Sequence, residues 1–217
     1  MHILLTAATT FEIQPVTDYL KQPDQQGRSH TFHTCITGIG MMATTWQLAQ
    51  SIRQQRPDYI IQAGIAGSFS PHFPPGRVVI VEREIVGDLG VEENGRFKDI
   101  FEMGLQREGN DPAAAQWLIN PTASNWEGQG LALVRGVTIN EISTRPARIE
   151  HFQQNLSATV ETMEGAALHY VGLQEDIPFV QLRSISNFVG IRDKQQWKMK
   201  EAITALNEQL INILKTL

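Results

Sequence analysis

Short runs rich in Val, Ile and Leu alternate along the chain with segments whose apolar positions recur every three or four residues. The first pattern is that of strands buried on both faces and the second that of amphipathic helices. Residues 2–8 read as a first buried strand and 11–20 as a helix with an apolar face. Residues 31–37 read as a strand ending in Gly38-Ile39-Gly40, and 41–56 as a helix that stops before Pro57, since the residue preceding proline is biased out of the helical region. Residues 59–67 form a strand that runs into a glycine loop, and 77–86 a strand centred on Val78-Val79-Ile80-Val81. From 87 to 127 the pattern weakens, with one helix expected over 112–118. Order returns with a strand over 131–138, a helix capped by Ser143 or Thr144 and running to Gln154, a short strand at 159–162, a helix over 164–174 and a strand over 178–186. In the closing helix Ile203, Leu206, Leu210, Ile213, Leu214 and Leu217 share one face.

Strand-helix alternation of this kind predicts an α/β fold: a single domain over residues 1–217 with a mixed, largely parallel central sheet flanked by helices. There is no internal repeat, low-complexity tract or linker. The 87–127 stretch reads as a less regular excursion, serving as a lid or a subunit contact. In such folds ligands bind at the carboxyl ends of strands, so polar residues that follow strands carry the most information.

Composition narrows the function. With 41% hydrophobic and 19% charged residues the chain can bury a sizeable core. A formal net charge of −5 gives nucleic-acid binding no support, because that needs a basic surface. The lone cysteine, Cys35, rules out an internal disulfide framework and suits a reducing compartment. The apolar run at the amino terminus is too short for a signal peptide, and no stretch approaches a spanning helix. The expectation is a cytoplasmic protein that engages neither membrane nor nucleic acid.

Candidate chemistry is scattered. Glu12 follows the first strand, where it serves either as a general base over the sheet edge or as an ordinary first-turn acid favoured by the helix dipole. Gly38, Gly40, Gly64 and Gly67 stand at strand ends, where backbone N–H groups can approach a ligand. Neither glycine pair matches a phosphate-cradling loop or a dinucleotide fingerprint. Glu161-Thr162-Met163-Glu164 places two acids at a strand-to-helix junction, where a carboxylate can accept both hydroxyls of a cis-diol or simply favour the helix dipole. Arg183 lies inside a buried strand and needs a partner, with Glu12 or Glu164 as candidates; Asn187 stands at the end of that strand. The six histidines show no metal-ligand spacing, and neither a serine nor a cysteine nucleophile signature occurs.

These residues, in this order, resemble the methylthioadenosine/adenosylhomocysteine nucleosidases of the nucleoside-phosphorylase superfamily. The resemblance covers nearly the whole chain and is weakest over 87–127. It implies a nucleoside phosphorylase-like fold, a homo-oligomer (dimer or tetramer), and a purine nucleoside and water as substrates, with no metal or organic cofactor. It further implies that Glu12 activates water, that Met163 and Glu164 hold the ribose, and that Arg183 orients the water and the carboxylates. Ile65 and Gly67 fall in the loop that lines the site, and Ile139 falls in the stretch that lines the base pocket.

Two departures point to a subfamily. Where the adenosine-type nucleosidases end the arginine strand in Ser-Asp, this chain has Ser186-Asn187. An amide donates to a 6-oxo group and accepts from a protonated N7, so the base implied is hypoxanthine. The stretch Asn187-Phe-Val-Gly190-Ile-Arg192-Asp193, followed by Trp197, resembles the futalosine hydrolases, which release hypoxanthine from futalosine in a menaquinone pathway. There Trp197 would stack on the carboxyphenyl group and Arg192 would meet its carboxylate, although a surface salt bridge explains Arg192 equally well. Ile65 replaces a serine that the nucleosidases often use to bind the water.

Three rival readings stand beside this one. A nucleosidase for methylthioadenosine, adenosylhomocysteine or aminodeoxyfutalosine is disfavoured by Asn187. A purine nucleoside phosphorylase needs a phosphate pocket, yet residues 38–45 carry no basic side chain. A non-catalytic nucleoside-binding protein would keep the fold without needing Glu12, Glu164 and Arg183 together.

Overall fold

The computed structural model describes residues 1–22, 30–109, 111, 114–126 and 130–216. Along the chain run β1 (His2–Ala7), α1 (Thr10–Leu20), β2 (Thr31–Ile36), α2 (Met41–Gln54), β3 (Tyr59–Ser68) and β4 (Val78–Val86). Three short strands follow, β5 (Gly90–Glu93), β6 (Arg96–Asp99) and β7 (Leu118–Ile119). The second half contains β8 (Ala132–Thr138), α3 (Pro146–Gln154), β9 (Val160–Thr162), α4 (Gly165–Gln174), β10 (Phe179–Phe188) and α5 (Met199–Thr216).

Eight strands share one sheet in the order β10-β4-β8-β9-β3-β1-β2, with β7 added to β4, and β10 also pairs with β3. The path from β3 through β10, β4, β8 and β9 therefore returns to β3, while β1 and β2 extend the sheet as an open wing. The ten-residue β3 makes this possible. Residues 59–62 pair with β1, Gly67 and Ser68 pair with β9, and β10 runs parallel along the other edge. Most pairings are parallel; β10 with β4, β3 with β9 and β4 with β7 are antiparallel.

Helices cover both faces, which explains why β1 is buried continuously from Ile3 to Ala7 rather than at alternate positions. Ile3, Leu5 and Ala7 face a cluster that includes Ile13, Val16, Leu206 and Leu210 of α1 and α5. Leu4 points the other way, to Leu48 and Ile52 of α2 and Leu168 and Val171 of α4. The face expected of the last helix is the buried one: Ile203, Leu206, Leu210, Ile213 and Leu214 all lie in the interior. Leu217 is outside the described residues.

Three expectations need correction. No α-helix occupies the described part of 112–118: Ala114 is a 3-10 position whose N–H donates to the Asp111 carbonyl, Leu118 begins β7, held antiparallel against Glu84 of β4, and Pro112 and Ala113 fall outside the described residues. The excursion is also more ordered than its composition suggested. Its β5 and β6 form a hairpin turning at Asn94-Gly95, both with positive φ, and the turn residues rather than apolar alternation define it. The third helix starts at Pro146 with Arg145 at its cap, not at Ser143 or Thr144; proline at the first helical position sets that start.

Candidate active site

The carboxyl end of β1 turns into α1 through Thr9-Thr10-Phe11-Glu12, and that spacing fixes Glu12. Its Oε2 accepts hydrogen bonds from the Thr9 N–H (2.9 Å) and the Thr9 hydroxyl (3.0 Å), the carboxylate half of a capping box. Its Oε1 accepts the Ile65 N–H of β3 at 3.1 Å. Pro15 interrupts the α1 hydrogen-bond ladder, and Asn207 of α5 enters the gap. Its side chain donates to the Glu12 carbonyl (2.8 Å) and accepts the Val16 N–H (3.1 Å). Both the backbone and the carboxylate of Glu12 are thus pinned, and the residue is only 6% exposed.

Sheet direction brings Glu164 to the same place. In β9, Val160 pairs with Ser68 and Glu161 with Gly67. Because β9 runs antiparallel to β3, the chain steps back along β3 and delivers Met163 and Glu164 near the level of Ile65 and Gly64. Arg183 of β10 pairs with Gly64 in the backbone ladder. Its Nη1 lies 3.5 Å from Glu164 Oε2 and donates to the Ile65 carbonyl at 3.4 Å, and its Nη2 donates to Gln62 Oε1 at 2.8 Å. Arg183 is 1% exposed, and a buried guanidinium needs such partners. Of the two acids considered from sequence, Glu164 is the one that pairs with it.

Two glycines make this approach possible. A Cβ at Gly64 would overlap Nη1 of Arg183 and sit 3.0 Å from Glu12 Oε1. Gly40, with φ of 93°, adopts a left-handed conformation that aims its N–H at Glu164 Oε1, 3.1 Å away.

Above these groups opens a cavity of about 420 Å³, within the range that encloses a nucleoside-sized ligand. Glu12, Ile65, Gly67, Ile139, Met163, Glu164, Asn187 and Trp197 all line it. Arg183 lies beneath the floor, reaching the cavity through Glu164. Arg192 does not line it; the guanidinium stacks over the Trp197 ring at 5.4 Å from an exposed position. The Trp197 ring is oriented by its Nε1–H, which donates to the Ile191 carbonyl at 2.9 Å. Asn187 is held too: its Oδ1 accepts the Ser186 hydroxyl at 2.8 Å and its Nδ2 donates to the Phe188 carbonyl at 3.0 Å. One amide hydrogen and one oxygen lone pair remain available to a ligand.

Sequence reasoning missed several contributors. Thr9 was legible in the Thr-x-x-Glu capping pattern, and Gln62 as a polar residue inside an apolar strand. Asn207 and Phe11 gave no local signal. Glu84 was also missed. It is fully buried behind the α4 amino terminus, accepting from Gln181 (2.8 Å) and Thr138 (3.0 Å). Those contacts extend to the helix, since the Ala166 N–H donates to the Thr138 hydroxyl and the Gly165 N–H to that of Thr162. Burial pushes the Glu84 carboxyl up to about 7 despite these hydrogen bonds and the nearby Arg183 charge.

Comparison with known proteins agrees with this architecture. The chain is 28% identical to the futalosine hydrolase of Streptomyces coelicolor over 70% of its length, spanning 63% of that protein. It is 29% identical to the futalosine hydrolase of Thermus thermophilus, covering 82% of this chain and 79% of that one. Its fold superposes on the native structure of futalosine hydrolase of Helicobacter pylori strain 26695 with a TM-score of 0.81, covering 100% and 98% of the two chains at 15% identity. The family model of the Phosphorylase superfamily matches residues 25–217. By that match and by its fold, this chain belongs to the Phosphorylase superfamily.

Proposed function

We propose that this protein hydrolyses the N-glycosidic bond of a 6-oxopurine nucleoside, futalosine, releasing hypoxanthine and dehypoxanthine futalosine in menaquinone biosynthesis. The observation that carries the reading is one cavity bordered by Glu12, Glu164 and Asn187, with Arg183 beneath it. The similarity to futalosine hydrolases of two organisms supports the choice of nucleoside.

In this reading Glu164, fixed by Gly40 and Arg183, accepts the ribose 2′- and 3′-hydroxyls beside Met163. The C1′–N9 electron pair leaves with the purine, which takes up a proton, while the sugar develops oxocarbenium character. Water adds to C1′ and its proton passes to Glu12, whose two oxygens are aimed by Thr9 and Ile65. Asn187 offers its free N–H to the 6-oxo group and its carbonyl to protonated N7. Catalysis then rests on stabilising both ends of a separating charge in a site built beforehand, and the chemistry requires no metal or organic cofactor. Trp197 and Met199, on the cavity wall, suit an aromatic 5′ substituent, and Arg192, stacked on Trp197, suits its carboxylate.

The same reading makes the protein a cytoplasmic homo-oligomer, a dimer or tetramer. Met42 is 87% exposed and, with Trp46, lines a shallow apolar hollow on α2, while Ile39 and Phe11 stand exposed at the cavity. An apolar surface of this kind suits a second copy of the chain. Sedimentation velocity should show a dimer or tetramer, and a monomer at micromolar concentration would overturn that part. Among the described residues no helix is long and apolar enough to cross a membrane.

The deciding experiment incubates the protein with futalosine, inosine and methylthioadenosine in phosphate-free buffer and identifies the released base. Hypoxanthine from futalosine is expected. Preferential adenine release would establish an adenosine-type nucleosidase instead, and a requirement for phosphate a phosphorylase.

A further inference from the structure

Glu164 heads α4 and yet does not cap it. A helix begins with orphan N–H groups, and the side chain at its head ordinarily turns back to accept the second or third of them. Glu164 holds that position, immediately before Gly165, and makes no such hydrogen bond. Its oxygens face away from the helix, one toward the Gly40 N–H at 3.1 Å and one toward Arg183 at 3.5 Å.

Hydroxyls from two other strands cap the helix in its place. The Ala166 N–H donates to Thr138 Oγ1 of β8 at 2.8 Å, and the Gly165 N–H to Thr162 Oγ1 of β9 at 3.2 Å. A hydroxyl has one hydrogen and two lone pairs, so it presents lone pairs to the helix when its hydrogen is directed elsewhere. Glu84 takes the hydrogens: Thr138 donates to its Oε2 at 3.0 Å and Thr162 to its Oε1 at 3.5 Å. Oε1 also accepts Gln181 Nε2 at 2.8 Å. The interior is shaped around this carboxyl group. Between Val81 and Arg83 the strand β4 carries one extra residue against β8, a bulge of the kind that re-aims the side chains beyond it. A Cβ at either Gly136 or Gly165 would overlap the Glu84 carboxyl. Glu84 is completely buried and stands apart from the cavity wall.

We propose that Glu84, acting through Thr138 and Thr162, is a positioning residue that gives α4 substitute caps and so leaves the Glu164 carboxylate free to face the ribose. This rests on the ribose-binding role of Glu164 proposed above. Without the relay, the Ala166 N–H is an unpaired donor at the position that a cap side chain normally serves. The Glu164 carboxylate is then drawn back onto its own helix, and the ribose hydroxyls lose their acceptor. A 2′-deoxy nucleoside makes one hydrogen bond fewer there, so it suffers less.

Thr138→Val removes one hydroxyl at nearly constant volume, and Glu84→Met removes the acceptor behind both. The readouts are kcat/KM for inosine and 2′-deoxyinosine, and calorimetric dissociation constants for a carbon-linked, uncleavable inosine analogue with and without its 2′-hydroxyl. Wild type should prefer the ribo forms. In both variants that preference should fall by roughly 10-fold or more, the worth of a hydrogen bond to a charged group. Thr138→Ser and Glu84→Gln should restore most of it. The glutamine oxygen can still accept from Thr138, and its NH2 can meet a Gln181 amide turned over to offer Oε1, which has no partner among the described residues. A purely structural role would lower stability and the active fraction, which scales both nucleosides alike and leaves the ratio unmoved. Thr138→Val carries the test alone if Glu84→Met does not fold. An unchanged ratio in Thr138→Val, beside a wild type that prefers the ribo forms, refutes the relay and leaves the proposed function standing. A wild type that binds neither analogue, or both alike, removes Glu164 from the ribose, and the proposed function falls together with the relay.

Discussion

Adding a single methyl group at Gly64 should dismantle the site from beneath. Gly64 lies where the Arg183 guanidinium crosses β3, and a Cβ there would overlap Nη1 of Arg183, approach its Cζ to 3.4 Å and stand 3.0 Å from Glu12 Oε1. Arg183 cannot step aside easily. It is buried, it donates to Gln62 at 2.8 Å, and it pairs with Glu164 at 3.5 Å. If it keeps its place, the cost of Gly64→Ala is that of overpacking, about 1–3 kcal/mol. If it is driven off Glu164, the cost is that of a broken buried ion pair, about 3–5 kcal/mol. Taking about 3 kcal/mol, and about 2–4 °C per kcal/mol for a chain of this size, Tm should fall by roughly 6–12 °C. Turnover should fall independently of stability, since displacing a catalytic group by about an ångström costs on the order of 10²-fold. Thermal unfolding followed by circular dichroism and initial rates of base release at 20 °C below the variant's Tm measure the two effects separately. Gly109→Ala is the control, because its added methyl meets only Ala114 Cβ at 3.4 Å, and it should change neither. A Gly64→Ala protein with Tm within about 2 °C of wild type and most of its turnover would refute the packing of Arg183 and Glu12 over β3.

Three further outcomes are expected. Glu12→Gln should reduce kcat by on the order of 10²–10⁴-fold with an unchanged unfolding curve, measured by hypoxanthine release; near-normal turnover removes Glu12 as the base. Asn187→Asp should lower kcat/KM on a 6-oxopurine nucleoside and raise it relatively on a 6-amino analogue, and an unaltered preference means that Asn187 does not read the base. Glu84 makes stability depend on pH. Its folded-state value, about 7, lies above the ordinary value of 4.5, so between those limits the folded protein keeps a proton that the unfolded chain has released. Stability from this group is complete below pH 4.5 and declines as pH rises through 7, by about 3 kcal/mol in all. Glu84→Gln should flatten that part of the Tm profile between pH 5 and 8, and an identical slope in variant and wild type would show that Glu84 is not the group responsible.

Most of the elements were legible because their determinants are local. The apolar runs of β1, β3, β4 and β10 lie between glycine, proline and polar turns, and the three-to-four spacing of α5 marks its buried face directly. The carboxyl end of the helix expected over 112–118 shows the limit of such signals. Leu118 is a strand residue because β4 offers an unpaired edge beside it, a fact held in the partner and not in the segment. The hairpin of β5 and β6 is hidden for a related reason: its strands, Gly-Val-Glu-Glu and Arg-Phe-Lys-Asp, carry one large apolar residue each, and only the Asn94-Gly95 turn identifies it.

For the site, the chain by itself determined the chemical inventory: a capping box that presents Glu12, an acid at the head of a helix, an arginine inside a strand and an amide at its end. It did not determine which of two acids would pair with Arg183, that Asn207 would cross from the last helix to hold the first, or that Arg192 would stand outside the cavity behind Trp197. Tertiary structure decided these, because each depends on strand register and direction. Antiparallel β9 carries Glu164 back to Gly64, and the pairing of β4 with β8 sets Glu84 against Thr138. Register is fixed by backbone hydrogen bonds between segments far apart in the chain, and no stretch of sequence read alone contains both partners.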